Sequence, residues 1–210
     1  MNVLEHLEPK SVFRFFEEMC AIPHGSRNTK AVSDWCADFA RARGLEYHQD
    51  GDNNIIIIKE AAPPVILQGH LDMVCEQTAD CQKDMSREGL DLAVDGDFVY
   101  AKGTTLGGDD GIAVAMALAL LDAEGLPHPR LEAVFTVDEE IGLLGAASID
   151  VTPLKGRQML NLDSEAEGIF TVSCAGGNTS ACLLPLTRAP FDGAGVTVAV
   201  GGLTGGHSGA

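Results

Sequence analysis

His70 and Asp72 follow a short apolar run, Val65–Leu67, in the order Gly-His-x-Asp. The run predicts a buried strand, and open α/β sheets bind their ligands just past the carboxyl ends of such strands. With one residue between them, the two side chains would lie on the same face of an extended continuation. An imidazole beside a carboxylate suits a metal ligand and the partner that orients its ring.

Further acidic residues stand in similar places, each after an apolar run or a glycine-rich turn: Asp109, Glu139, Glu140 and Asp163. If the runs are neighbouring strands of one sheet, these groups converge with His70 at one edge. Carboxylates so close together repel one another unless cations neutralise them, and the ligand types suit zinc, manganese or cobalt. The pattern predicts two ions that share a carboxylate, with one acid left as general base on water.

Each acidic group by itself has a simpler interpretation. Glu139 and Glu140 could form a solvated strand end, Asp109 and Asp110 a helix N-cap pair, and Asp163 a turn. The recurrence of one arrangement, an acid directly after a buried strand or glycine-rich turn, favours a common site.

The elements that would position these residues follow from hydrophobic periodicity and turn residues. Helices are predicted over Ser11 to about Ile22, from Thr29 to a C-terminal Gly44, from Ile112 to about Glu124 and over Leu143–Ile149. Strands are predicted over Ile55–Ile58, Val65–Leu67, Phe98–Ala101 after an Asp-Gly-Asp turn, Leu131–Val137, Met159–Leu162, Ile169–Cys174, Thr179–Leu186 and Val196–Val200.

Composition narrows the class of protein. The 210 residues are 45% hydrophobic and 21% charged, which is enough to build a core. A formal net charge of −17 argues against nucleic acid or anionic membrane surfaces as partners. The N-terminus lacks a secretory pattern, and the six cysteines form no CxxC motif, so we expect a cytoplasmic protein with reduced, mostly buried cysteines.

The motifs together resemble those of the M20 metallopeptidases, and their wording is most similar to the aminoacyl-histidine (Xaa-His) dipeptidases. The resemblance extends over nearly the whole chain and rests on four motifs: Gly69-His70-Leu71-Asp72-Met73-Val74, Leu106-Gly107-Gly108-Asp109-Asp110-Gly111, Thr136-Val137-Asp138-Glu139-Glu140-Ile141-Gly142 and Asn161-Leu162-Asp163-Ser164-Glu165. The closing Gly205-Gly206-His207-Ser208-Gly209 is similar to the same family.

The resemblance implies a role for each residue at a site with two divalent ions, zinc by expectation and manganese or cobalt as alternatives. His70 and Asp163 would hold one ion, Glu140 would hold the other, and Asp109 would bridge them. Asp72 would orient the His70 ring, and Glu139 would be the general base on a bridging water. His207 would contact the substrate, and a cis peptide bond is expected after Asp109.

The same resemblance implies the fold and the activity. We expect an α/β fold with a mixed sheet between helices in three layers, as in zinc peptidases. Residues 1–186 would form the catalytic domain without its C-terminal part, and 187–210 the first strand of a smaller α+β lid and dimerisation domain. The parent protein would be a homodimeric dipeptidase acting on small unblocked dipeptides, Xaa-His among them.

Other functions stay open at this stage. A related N-acyl amino acid deacylase, carboxypeptidase or tripeptidase would use the same metal site on a different substrate. Because family members continue well past residue 210, the second ion would lack one ligand, and the chain alone could be an inactive truncated fragment. The intact Glu139 argues against a non-catalytic remnant, since no structural role requires a second acid there.

Overall fold

The computed structural model describes residues 3–164, 166, 168–173, 180–190 and 192–199. The chain divides into two units, Met1–Glu165 and Ala166–Ala210. Within the described residues, the first unit contains helices α1 (Lys10–Cys20), α2 (Lys30–Ala42), α3 (Gly108–Asp122) and α4 (Leu144–Ser148). Its strands are β1 (Glu46–Gln49), β2 (Ile55–Lys59), β3 (Pro64–His70), β4 (Leu92–Asp95), β5 (Phe98–Ala101), β6 (Arg130–Thr136) and β7 (Met159–Asn161).

Five of the strands form one mixed sheet in the order β1-β2-β6-β3-β7, and β4 pairs with β5 in a separate hairpin. Strand β3 runs parallel to β6 on one side and to β7 on the other, whereas β2 is antiparallel to both β1 and β6. The carboxyl ends of β3, β6 and β7 therefore lie at the same edge of the sheet. Residues that follow these strands are brought together there.

Both faces of the sheet are covered, and β2 shows how. Its four isoleucines alternate, so that Ile55 and Ile57 belong to the core beneath α1, α2 and α3. Ile56 and Ile58 face a smaller cluster on the opposite side, which the segment from Ile149 onward covers after α4. A strand buried on both faces is expected to be apolar at every position, as this one is. The predicted α/β fold with helices flanking a mixed sheet is confirmed.

Helix α3 packs against the centre of the sheet with small side chains. Its interior is rich in alanine, and most of its residues are buried. Ala113 approaches Gly69 of β3 so closely that a Cβ atom at position 69 would lie 3.3 Å from the alanine Cβ. This close packing brings the amino end of α3, where Asp109 lies, onto the end of β3.

Most predicted elements of the first unit are confirmed within a few residues. Strand β3 is longer than predicted, so that His70 is its last residue and does not follow its end. Strand β1 was missed, because its sequence Glu-Tyr-His-Gln is an exposed sheet edge with no apolar pattern. The expectation of mostly buried cysteines is wrong for Cys75 and Cys182, which are exposed free thiols.

The second unit differs from its prediction. Its described residues form no helix or strand, although strands were expected over Ile169–Cys174, Thr179–Leu186 and Val196–Val200. Large apolar side chains there are exposed, including Val172 at 97% and Leu183 at 95%. Apolar β-branched sequence favours a strand only where another strand supplies hydrogen bonds, and the described residues of this unit pair with none. The domain boundary after residue 186, and the lid after it, stay predictions.

In the described part of the chain, no helix has both the length and the apolar character that a membrane span requires.

Candidate metal centre

The predicted site residues of the first unit meet at the carboxyl edge of the parallel strands. His70 ends β3, where it is the register partner of Thr136 at the end of β6. Glu139 and Glu140 lie in the turn after β6, and Asp163 follows β7. Because the three strands are parallel, the residues at their carboxyl ends lie at one edge of the sheet. Side chains far apart in sequence are therefore neighbours there.

The His70 ring lies at the centre of the cluster. Its Nε2 atom is 2.9 Å from Asp109 Oδ1, 3.9 Å from Asp163 Oδ2 and 4.0 Å from Glu139 Oε2. The His70 side chain is only 1% exposed, whereas that of Asp109 is 55% exposed. The cluster is thus anchored on a buried imidazole and opens toward solvent through its carboxylates.

Two overlapping groups of ligand atoms fit a metal ion, each with its atoms within 4.8 Å of one another. One consists of His70, Asp109 and Glu140, and the other of His70, Glu139 and Asp163. Imidazole and carboxylate ligands at this spacing suit zinc or another first-row divalent ion. The residues present therefore fit a divalent metal, and they include all the ligands predicted from the sequence. The second group also contains Glu139, which the sequence assigned to water and not to metal.

Asp72 is buried behind the histidine and contacts both the His70 ring and the turn that carries the two glutamates. The His70 Nδ1 atom lies 2.9 Å from the Asp72 backbone oxygen and 3.5 Å from its Oδ1. The carboxylate also accepts the backbone N–H of Glu139 at 3.0 Å and that of Glu140 at 3.3 Å. A ring held through Nδ1 presents Nε2 to the cluster, which is the arrangement that a metal-binding histidine needs.

Asp110 is a site residue that the sequence interpretation missed. The Asp109-Asp110 peptide bond is cis, as the family resemblance implied. The buried Asp110 Oδ2 accepts the backbone N–H of His70 at 3.2 Å. This approach is possible because residue 69 is glycine, since a Cβ there would lie 2.6 Å from the Asp110 carboxylate. The adjacent Asp-Asp pair was the only signal in the sequence, and it was equally compatible with a helix N-cap.

Asn54 and Ser26 were also missed, and neither carries a sequence signal. Asn54 is fully buried, and its Oδ1 accepts the backbone N–H of Val137 at 3.1 Å, at the start of the acidic turn. Ser26 Oγ donates to Asp72 Oδ2 at 2.8 Å. Both act across more than forty positions of sequence, so only the folded chain reveals them. The predicted substrate residue His207 lies outside the described residues.

Crowded charges shift the acid–base properties of the site. Burial by itself lowers the pKa of His70, but its interactions with Asp72 and Asp109 and the charge of Asp110 raise that pKa to about 10. Burial raises the pKa of Asp110 to about 7. Burial is also the main cause of the raised pKa values of Glu139 and Glu140, and neighbouring carboxylates add to it. The metal-free site thus retains protons that a cation would displace.

Metal binding is expected to release a proton and to strengthen as the pH rises. Without metal, His70 is protonated at neutral pH because its pKa is about 10. A ligating imidazole must be neutral, so the apparent affinity should rise roughly tenfold per pH unit below that pKa. Between pH 6 and pH 8 we expect about a hundredfold gain for Mn²⁺ or Co²⁺. Calorimetric titration in two buffers of different ionisation enthalpy would count the released protons. An affinity that is flat with pH would contradict this.

The chain is similar to a known peptidase family and to a characterised dipeptidase. The sequence profile of peptidase family M20/M25/M40 matches residues 66–179. The cytosol non-specific dipeptidase of Escherichia coli K12 is 36% identical over 219 aligned positions, which cover 100% of this chain and 45% of that protein. This chain therefore spans about half the length of that relative.

Solved structures agree with the fold described above. The crystal structure of aminoacylhistidine dipeptidase from Vibrio alginolyticus superposes with a TM-score of 0.75 at 37% identity, over 79% of this chain and 35% of that one. A tripeptidase from Staphylococcus aureus Mu50 gives a TM-score of 0.61 at 21% identity, over 75% of this chain and 44% of that one. At that lower identity, the second similarity supports the fold alone.

Proposed function

The chain belongs to peptidase family M20/M25/M40, and on that premise we propose that it supplies the metal site of a dipeptidase. The proposed substrates are small unblocked dipeptides, Xaa-His among them. One observation carries the proposal: His70 is surrounded by Asp109, Glu139, Glu140 and Asp163 in two groups that each fit a divalent ion. The names of the Escherichia coli and Vibrio relatives, both dipeptidases, support this substrate class.

The proposed ligand assignment follows the family resemblance. His70 and Asp163 would hold one ion, Glu140 would hold the other, and Asp109 would be shared by both. The close contact between the His70 ring and Asp109 supports this bridging position. We propose two zinc ions, with manganese or cobalt as substitutes. Bound there, they would polarise the scissile carbonyl and lower the pKa of a water molecule.

Asp72 and Glu139 have the two remaining roles. Asp72 positions its neighbours, and Glu139 transfers a proton. Asp72 fixes the His70 ring and the backbone of the turn that carries both glutamates. Glu139 is the proposed general base, which takes a proton onto its carboxylate and returns it to the leaving amine. Burial raises the pKa of Glu139, so its carboxylate is more basic than an exposed glutamate.

Wider properties of the parent protein are part of the same proposal. Residues 1–186 would belong to its catalytic domain and 187–210 to the start of a lid and dimerisation domain, with His207 near the substrate. A homodimer in the cytoplasm is proposed, and the location is supported by the name of the Escherichia coli relative.

The first test of this function is metal binding by the 210-residue chain. We expect Zn²⁺ or Mn²⁺ to bind, and we expect Asp109→Ala to weaken it at least about tenfold, because Asp109 touches His70 at the centre of the cluster. Elemental analysis and calorimetry measure both, and Asp97→Ala, an exposed acid of the β4–β5 turn, is the matched control. Equal affinity in Asp109→Ala and Asp97→Ala would contradict the site.

The second test is the choice of substrate by the full-length protein. Xaa-His dipeptides, other dipeptides, tripeptides and N-acetyl amino acids would be compared by their kcat/KM values. Preference for the dipeptides supports the proposal. Preference for a tripeptide or an N-acetyl amino acid would place the same metal site in a different enzyme of the family.

A further inference from the structure

The loop between α1 and α2 contacts the site from outside the sheet, and Ser26 is its point of contact. Ser26 Oγ donates to Asp72 Oδ2 at 2.8 Å, across 46 positions of sequence. The same loop is fixed by backbone contacts just before the serine. The Met73 N–H donates to the carbonyl of His24 at 3.2 Å, and Gly25 forms an isolated parallel bridge with Met73.

A second contact of this loop reaches the acidic turn itself. The backbone N–H of Arg27 donates to Asp138 Oδ1 at 2.6 Å. Asp138 directly precedes Glu139, and it adopts a left-handed conformation with φ of 54°. The loop is therefore bound both to the segment after His70 and to the start of the turn that carries the glutamates.

Asp72 transmits the contact with Ser26 to the two glutamates. Its Oδ2 atom accepts from Ser26 and from the backbone N–H of Glu140, and its Oδ1 atom accepts from the backbone N–H of Glu139. The Asp72 side chain is 0% exposed, so solvent does not reach it to replace a missing donor. Removing the hydroxyl of Ser26 therefore leaves a buried carboxylate oxygen with one donor fewer, at the atom that holds Glu140.

We infer that Ser26 is a positioning residue, whose hydroxyl fixes the Asp72 carboxylate and thereby the backbone of Glu139 and Glu140. Its effect on the reacting groups passes through Asp72, the carboxylate to which its hydroxyl donates. Its importance for catalysis rests on the proposed function, whereas its effect on the turn exists without metal. The two can therefore be tested separately.

The first experiment measures amide hydrogen exchange in the metal-free chain. In Ser26→Ala, the amides of Glu139 and Glu140 are expected to exchange about tenfold faster, the factor for loss of one hydrogen bond to a charged group. The core amide of Ile57 should be unchanged, which excludes a general loss of stability. Ser26→Thr keeps the hydroxyl and should restore protection. The control is Ser33→Ala, which removes a buried serine hydroxyl that accepts from Gln49 instead of bonding to Asp72.

Ser26→Cys is measured beside these variants, because a thiol keeps an atom at the γ position but is a weaker donor. Faster exchange of Glu139 and Glu140 in either variant, with the Ile57 amide still protected, supports the inference even if the other variant folds poorly. Unchanged protection of Glu139 and Glu140 in either folded variant would overturn it, as would a Thr variant that behaves like the Ala variant.

The second experiment measures Mn²⁺ affinity of the same variants. A loss of about tenfold in Ser26→Ala, recovered in Ser26→Thr and absent in Ser33→Ala, is expected for a residue that supports metal ligands. If the wild-type chain binds no Mn²⁺ or Zn²⁺ but the exchange result holds, the proposed function fails and the positioning role stands. If the wild-type chain binds metal and exchange is unaltered, the positioning role alone fails.

Discussion

Glu139→Gln is expected to lower kcat of the full-length protein by a factor of about 10²–10⁴ while the metal content is retained, since that is the usual contribution of a general base. The side chain is 27% exposed, and its Oε2 lies 4.0 Å from His70 Nε2, within the site but outside direct contact. Glutamine has the same shape and cannot accept a proton at neutral pH. Dipeptide hydrolysis and elemental analysis of the same sample measure the two quantities.

Glu140→Gln supplies the contrast, because the neighbouring glutamate is assigned to metal. That variant should lose metal as well as activity. The geometry makes the comparison decisive, since His70, Glu139 and Asp163 also form a group that fits an ion. If Glu139→Gln loses metal as Glu140→Gln does, then Glu139 is a ligand. If it retains hydrolysis, the base lies elsewhere.

The activity of the wild-type protein should decrease at acidic pH, because Glu139 becomes protonated. A general base works only when it is deprotonated, and burial raises the pKa of Glu139 above its usual range. Activity should therefore fall as the pH drops through the pKa of Glu139, which a kcat–pH profile of the wild type beside Glu139→Gln would measure.

Glu132→Ala is expected to destabilise the first unit by about 3–5 kcal/mol, the usual cost of removing one partner from a buried ion pair. Glu132 lies on β6 with its side chain fully buried, and it accepts from Arg130 Nε at 2.7 Å. Its carboxylate also accepts the backbone N–H groups of Lys155 and Gly156 at 2.9 Å each. The variant leaves a buried guanidinium and backbone donors without this acceptor.

Glu60→Ala is the matched control, because Glu60 pairs with the same guanidinium of Arg130 but is 64% exposed. A solvent-exposed carboxylate gains less from its ion pair than a buried one, so this variant should lose much less stability than Glu132→Ala. Urea unfolding followed by circular dichroism gives both free energies. Equal free energies for the two variants would show that burial does not determine the contribution of Glu132.

Glu132 also makes the free energy of unfolding depend on pH. Burial by itself raises the pKa of Glu132, but Arg130 and the two backbone donors more than reverse this, so the folded-state pKa is lowered. Its stabilisation is therefore present above the unfolded pKa of about 4.3 and is lost as the pH falls through the lower folded value. The stability of Glu132→Ala should respond less to acid than that of the wild type.

Much of the site could be predicted from the sequence because its residues directly follow strong local signals. His70, Glu139 and Asp163 come after apolar runs, and parallel strands bring such positions to one edge. Asp109 was found because it opens a helix after a glycine-rich turn. Predictions of this kind need only periodicity and the topology that periodicity favours.

Other features could not be predicted, because they depend on contacts between distant segments. Glu132 interrupts an apolar strand, and only the position of Lys155 explains why a carboxylate is buried there. Asp110 becomes a partner of His70 through the absence of a side chain at Gly69. Apolar stretches around Val172 and Leu183 predict strands from local preference, but a strand also requires a neighbour with which to pair.

The burial of Asp72 has a consequence for the evolution and engineering of this chain. One carboxylate contacts three separate segments: it accepts from Ser26 and from the amides of Glu139 and Glu140, and it lies 3.5 Å from the ring of His70. Residues that share one partner in this way do not contribute independently, so their substitutions combine non-additively. A change of metal preference or substrate by altering one segment would disturb the other two. Redesign must therefore change the three segments together, because the effects of single substitutions there do not add up to the effect of several.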